Sequence, residues 1–304
     1  MEPIMIIHGG AEDVPEEMIP CKTRGVRKAC NIGYRILTQC GGSALDAVEA
    51  AICYMEEDEV FNAGRGSALN EEGDIEMDAS IMSGDDLSTG GVTIVKEMLH
   101  PISLARMVME KTPHVLLAGE GANRFANDCG MPRVPNCQLI TEWAKIELEM
   151  VKKSERLPRC DTVGAVAMDR CGHIATGASS GGLTGRMVGR SSDSSKCGAA
   201  IYADDRLGGV SVAGHGESIV KLCLAYNIVN QLQCGKSPQQ AVQNSVNEIE
   251  DRFCKRAGAV VLSKCGNVGV FFTSHRMPWA YTKGKKMYYG AKPGELNVSD
   301  CSCS

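Results

Sequence analysis

The chain has 304 residues, 43% of them hydrophobic and 23% charged, with a formal net charge of −5; that length supports one large domain or two ordinary ones with full cores. The acidic balance comes without basic runs or basic–aromatic interleaving, which excludes nucleic acid and anionic membrane surfaces as expected partners. A small molecule is the better expectation for what it binds.

Met1-Glu2-Pro3-Ile4 puts an acid and a proline where a secretory leader needs basic residues, and no run reaches the ~18 apolar residues of a membrane span. A soluble, cytoplasmic protein is expected. Residues 3–8 read as a short buried strand and 23–38 as a helix. Ser43 with Asp46 three positions later forms a capping box for a helix over 44–56, whose apolar face is Leu45, Val48, Ile52 and Met55. A glycine-punctuated loop, Phe61-Asn62-Ala63-Gly64-Arg65-Gly66-Ser67, follows. Strands are predicted over 74–82 and 90–96, a helix from Pro101, and helices over 118–128 and 139–153. Glu149 to Arg159 loses apolar periodicity and reads as an exposed linker.

Beyond it, residues 162–168 form a nearly continuous small-apolar strand of the kind covered on both faces, with a second strand near 174–179. Strands near 197–203 and 208–213 precede one long helix opening at Gly214-His215-Gly216-Glu217, with Ile219, Leu222, Cys223, Tyr226 and Val229 on one face. Ser237-Pro238 with Gln240 caps another helix, and a hairpin over 258–263 and 267–273 closes the pattern. The fifteen cysteines read as free, mostly buried thiols. Cys301-Ser302-Cys303 is the only close pair and a poor zinc signal; a redox or metal-binding use of the thiols is a weaker alternative. Helices between runs of strands indicate a layered α/β protein, and the pattern alone leaves open a four-layer sandwich or two α/β domains.

By itself, Asp161-Thr162 is a strand start. Its setting is more informative, because Gly181-Gly182, Gly189-Arg190-Ser191-Ser192-Asp193 and Gly214-His215-Gly216-Glu217 also lie at strand ends or helix starts, where sites are built. In composition Arg190 and Asp193 also suit an ion pair within one loop, Asn62 and Ser180 suit turns, and Gly214 and Gly216 suit a loosened strand-to-helix turn.

Taken together, Asp161-Thr162-Val163-Gly164-Ala165-Val166-Ala167, Ser179-Ser180-Gly181-Gly182, Gly189-Arg190 to Asp193 and Gly214-His215-Gly216-Glu217-Ser218 resemble the plant-type asparaginase and isoaspartyl peptidase family of N-terminal nucleophile hydrolases. His8-Gly9-Gly10, Phe61-Asn62-Ala63-Gly64 with Gly66-Ser67, and Met77-Asp78-Ala79-Ser80-Ile81-Met82 continue the likeness in order, so it spans nearly the whole chain. The resemblance implies a single αββα sandwich over residues 1–304. It also implies a precursor that cuts its own Asp161–Thr162 bond into an α chain, 1–161, and a β chain, 162–304, in a homodimer of such units.

On that resemblance Thr162 is nucleophile and, through its freed amine, general base. Ser180 binds the nucleophile's hydroxyl, Asn62 supports the threonine, and Gly214 offers its amide to the oxyanion. Arg190 would take the substrate α-carboxylate and Asp193 its α-ammonium, with Ser191, Ser192, Ala213, His215 and Gly216 lining the same pocket. No metal or other cofactor enters the chemistry; backbone carbonyls near residues 55–64 hold a structural sodium ion in relatives. Three positions depart from the family pattern. Ala213 stands where a threonine hydroxyl joins the oxyanion hole, Ser192 where a glycine is usual, and Ala11-Glu12 where further glycine is usual. They raise an alternative: an uncleaved, weakly active or inactive member acting as a binding or scaffold protein.

Overall fold

The computed structural model describes residues 1–11, 15–39, 41–155 and 161–301. In the first half, β1 (Ile4–His8) is followed by α1 (Ile19–Gln39), α2 (Ala44–Glu57), β2 (Met77–Ser83) and β3 (Thr89–Val95). Next come α3 (Pro101–Lys111), β4 (Leu116–Ala118), α4 (Gly119–Asp128), α5 (Asn136–Leu139) and α6 (Glu142–Lys152). The second half runs β5 (Val163–Met168), β6 (Ile174–Ser180), β7 (Ile201–Asp204), β8 (Gly208–Gly214), α7 (Gly216–Leu222), α8 (Leu224–Gln233) and α9 (Pro238–Phe253). It finishes with β9 (Ala257–Ser263), β10 (Val268–Phe272), β11 (Trp279–Lys283), β12 (Lys286–Gly290) and β13 (Asn297–Asp300).

Local chemistry sets several of these boundaries. Both capping boxes form: Ser43 with Asp46 starts α2, and Ser237 with Gln240 starts α9, each satisfying backbone donors that a helix start leaves orphaned. Four expectations need correction. The long helix from 216 is two helices, because Cys223 adopts a left-handed conformation, φ 46°, between α7 and α8. The stretch 139–153 is broken where Thr141 caps α6 by accepting from the Ala144 amide. That helix continues through Lys152 into the predicted linker, whose residues 156–160 lie outside the described residues. The 258–273 hairpin does not close the chain, since three more strands follow it.

Among the described residues the strands form two sheets. The larger has the order β13-β12-β11-β1-β5-β6-β2-β3-β4, antiparallel except for the β3–β4 pair, and the smaller the order β10-β9-β8-β7. Period-two alternation sends side chains to both faces of these strands. On β1, Met5 and Ile7 join a cluster with α1 and α2, including Val26, Val48 and Ile52, while Ile4 and Ile6 join a second cluster with Val260 and Leu262 of β9. On β8, Val210 and Val212 turn the other way and pack with Ile228 of α8 and Val242 and Ile249 of α9. The large sheet thus meets α1–α3 on one face and the small sheet on the other, and α8 and α9 cover the far side of the small sheet.

The fold is therefore mixed α/β, and the described residues contain no helix long and apolar enough to cross a membrane. The twelve cysteines described are all free, but most are exposed, contrary to the expectation of buried thiols. They sit largely at helix ends and turns, as Cys223 and Cys254 do in left-handed C-cap positions, where no core covers them.

Candidate active site

Thr162 lies one residue before β5, between the ends of β1 and β6, and is 3% exposed. The carbonyl oxygen of the residue before it, Asp161, accepts two hydrogen bonds: one from Asn62 Nδ2 at 3.0 Å and one from Ser180 Oγ at 2.8 Å. Asn62 is held in turn, since its Nδ2 also donates to Gly182 O and its Oδ1 accepts from the Ala68 amide. Ser180 Oγ accepts from the Gly182 amide. Two fixed donors thus polarise this one carbonyl. The expected contact of Ser180 with the Thr162 hydroxyl is not made; Thr162 Oγ1 instead lies 3.1 Å from Ser194 Oγ.

The Asp161 carboxylate is buried and paired with Lys22 of α1, itself 0% exposed. This explains Gly10 in the His8-Gly9-Gly10 motif: φ there is +104°, and a Cβ would fall 1.1 Å from Asp161 Oδ1. His8 lies under the same strand end with Nε2 2.9 Å from Ser211 Oγ, and burial pushes its pKa down to about 3, so the ring is neutral and acts as packing rather than as an acid.

The loop from Arg190 to Asp193 is pinned to β2. Asp78 Oδ2 accepts from the Ser192 amide at 2.8 Å, and Ser80 Oγ donates to Ser194 O at 2.5 Å, which gives the Met77–Met82 motif its structural reason. Ser192 is extended at φ −83°, so serine fits where the family favours glycine. The Ser191 hydroxyl accepts from Thr93 Oγ1 and Lys196 Nζ, and is committed to the loop.

Arg190 does not pair with Asp193. Its Nε and Nη2 both lie 2.9 Å from Glu217 Oε1 at the start of α7. Asp193 is 2% exposed, its Oδ2 has no hydrogen-bond partner, and burial pushes its carboxyl up to about 7 against the pull of Arg190. A side chain on Gly216 would meet Asp193 Oδ1 at 2.7 Å and Arg190 Nη2 at 2.8 Å, so the carboxyl and the guanidinium both face this one open position. His215 turns away, with Nδ1 2.9 Å from Ser218 Oγ.

Gly214 ends β8 at φ +135°, where a Cβ would lie 2.6 Å from the backbone of Ala257 and Arg256. Ala213 is fully buried in the cluster between the sheets. Of the third departure, Ala11 packs into that same cluster, while Glu12 lies outside the described residues. Sequence reasoning missed Lys22, Asp78, Ser80, Ser194 and Glu217. Only Asp78, Ser80 and Glu217 stood inside motifs that had been singled out.

The site is therefore a polarised carbonyl, a hydroxyl on the next residue, and a cation and a carboxylate beside one open position. Asp193 is followed directly by Ser194, which touches the hydroxyl. The sequence matches the protein family described as Asparaginase over residues 1–290. Three similar proteins share the name isoaspartyl peptidase/L-asparaginase. The one from Xenopus laevis is 43% identical, covering 98% of this chain and 98% of its own. That from Homo sapiens is 43% identical, covering 99% of each chain, and that from Bos taurus is 42% identical, covering 99% of this chain and 100% of its own.

A carboxyl whose folded pKa lies near 7, above its unfolded value near ~3.9, binds more protons when folded, so its share of stability is present at low pH and is lost as pH rises from about 4 to 7. Asp193→Asn should remove that slope, worth on the order of 3 to 4 kcal/mol, and be the more stable protein at pH 8. Urea denaturation of both proteins at pH 5 and pH 8 measures it; parallel pH dependences would show that Asp193 is not held protonated by burial.

Proposed function

The chain belongs to the asparaginase family, and on that premise we propose that it is a hydrolase that cuts itself between Asp161 and Thr162 and then hydrolyses L-asparagine and the β-aspartyl bond of isoaspartyl peptides. The observation that carries this reading is the Asp161 carbonyl, which accepts from Asn62 and Ser180 directly beside the Thr162 hydroxyl. In self-cleavage Thr162 Oγ1 attacks that carbonyl carbon, and the oxygen that gains negative charge is the one already holding two donors. The C–N bond breaks, the hydroxyl proton ends on the Thr162 nitrogen, and an ester joins Asp161 to the threonine side chain. Water hydrolyses the ester and leaves Asp161 with a carboxylate and Thr162 with a free amine and hydroxyl.

The amine is what the second reaction needs. An α-amino group titrates near ~7.7 to 8, so it is partly neutral at physiological pH and accepts the proton of its own hydroxyl. Arg190, with its planar fork of donors, takes the substrate α-carboxylate, and the unpartnered Asp193 oxygen takes the α-ammonium. That pair reads the head group of an amino acid and sets its side-chain carbonyl at Thr162, with the Gly214 amide toward the developing oxyanion. Attack expels ammonia from asparagine, or the shortened peptide from an isoaspartyl substrate. Water then releases aspartate from the β-aspartyl ester.

The same reading takes the helix and sheet layers as one four-layer αββα sandwich of the N-terminal nucleophile hydrolase type. In it the 1–161 and 162–304 segments supply adjacent strands, β1 and β5, to one sheet. The Asn62 loop suits the sodium ion the resemblance implies: the carbonyl oxygens of Glu59 and Phe61 both converge on Gly66, 2.5 and 2.7 Å from its Cβ position. Such hard oxygens suit a hard cation, and an ion there would brace the loop that holds Asn62.

Intact mass and denaturing electrophoresis of purified protein should give two fragments, the second beginning at Thr162. Thr162→Ala should remain one chain and release no ammonia from L-asparagine. The cleaved protein should hydrolyse β-aspartyl and not α-aspartyl dipeptides. Equal cleavage of both would refute the head-group assignment, and one stable wild-type chain would favour a scaffold. Ala213→Thr should raise self-cleavage or turnover by up to ~10²- to 10³-fold by restoring an oxyanion donor; unchanged rates would mean that another donor serves there.

A further inference from the structure

On the helix side of the large sheet, Cys53, Glu56 and His100 bring a sulfur, a carboxylate oxygen and a ring nitrogen within 4.8 Å of one another. Cys53 and Glu56 are three residues apart on α2 and so share one face. His100 is the residue before α3, and the two helices are tied there because Glu56 Oε1 accepts from the Ile102 amide at 3.1 Å. From this geometry we infer that the cluster is a binding site for a zinc-like divalent cation, held by Cys53 Sγ, Glu56 Oε2 and His100 Nδ1 with a fourth position open to water. The inference does not depend on the proposed hydrolase activity.

The surroundings of each donor match that use. Glu56 Oε1 is committed to Ser179 Oγ, at 2.6 Å, and to Ile102, which leaves Oε2 facing His100 Nδ1 at 3.3 Å. The other ring nitrogen, Nε2, faces Glu57 Oε1 at 3.4 Å; a carboxylate on the far nitrogen is what fixes the tautomer and orientation of a metal-binding histidine. Cys53 Sγ lies 3.4 Å from Ser103 Oγ. The mixture of sulfur, nitrogen and oxygen selects a borderline-soft ion over sodium, magnesium or calcium, so this site is chemically separate from the carbonyl cradle at Gly66.

Charge points the same way. A thiolate and a carboxylate cancel the charge of a dication, so the loaded site carries no net buried charge. His100 is 28% exposed at the side chain and Glu57 is 58% exposed, which gives an ion and its water a way in.

The test is to strip the full chain with a chelator and titrate it with cobalt(II) in sodium-containing buffer. One equivalent should produce a thiolate-to-cobalt charge-transfer band in the near ultraviolet with visible bands of a tetrahedral ion, and zinc should displace both. Cys53→Ser should abolish the near-ultraviolet band, and His100→Gln should shift the visible bands and weaken binding at least tenfold. Cys171→Ser in an exposed turn and Asp205→Asn in the exposed Asp85–His173–Asp205 cluster should leave the spectrum unchanged. A charge-transfer band that survives Cys53→Ser, or no saturable band in the wild type, overturns the inference. A readout that needs no variant is alkylation of the native chain followed by peptide mapping. One equivalent of zinc should protect Cys53, and equal labelling with and without zinc also overturns the inference.

Discussion

The arrangement at Asp161–Thr162 depends on one carbonyl oxygen and the two side chains that donate to it. Asn62 reaches it from the loop after α2, and Ser180 from the end of β6. Each donor is itself tied: Asn62 by Gly182 O and the Ala68 amide, Ser180 by the Gly182 amide. The cost of ordering these groups is met by folding, so under the proposed self-cleavage no reorganisation would remain as charge built on the oxygen. The sheet supplies the precision. β5 is hydrogen-bonded to β1 on one side and β6 on the other, and the residues that enter it cannot move without breaking that register.

Around this point the structure tolerates buried charge on both sides, in different ways. The Asp161 carboxylate is matched by Lys22 under α1, and removing either member of such a pair typically costs 3 to 5 kcal/mol because the other is left buried and uncompensated. Asp193 has no such match, since Arg190 is held by Glu217. A buried carboxyl with one oxygen lacking a hydrogen-bond partner weakens the protein, and a cation bound beside it would offset that, as the proposed head-group role requires. Ser194, one residue on, touches the Thr162 hydroxyl, so the loop that would hold substrate also touches the proposed nucleophile. Asp78 and Ser80 of β2 fasten that loop to the sheet.

Much of this was legible locally. The capping boxes of α2 and α9 and the small-apolar run of β5 are written in adjacent residues, and so are the glycines at 10 and 214 once their neighbours are known. What escaped is what depends on distant partners. Lys22 on a helix reads as a solvent-facing residue, and only Asp161, 139 positions away, makes it a buried ion. Arg190 and Asp193 read as a natural pair within one loop, yet the partner of Arg190 is 27 residues on. The break at Cys223 carries no glycine or proline to announce it, and β11 to β13 lie in a polar, aromatic tail whose strand character comes from pairing, β11 on β1, β12 on β11 and β13 on β12. Motif order gave the asparaginase family, whereas the sequence could not tell that the Ser180 hydroxyl faces the Asp161 carbonyl rather than the Thr162 hydroxyl.

The most direct test is the rate at which freshly folded precursor is cut, followed by intact mass, in the wild type, Asn62→Ala, Ser180→Ala and the double variant, with folding checked by circular dichroism. If the two donors stabilise the developing oxyanion, each folded single variant should be cut ~10²- to 10³-fold more slowly, and the double variant more slowly still. Cutting at the wild-type rate in both single variants would contradict the role given to this carbonyl and its donors.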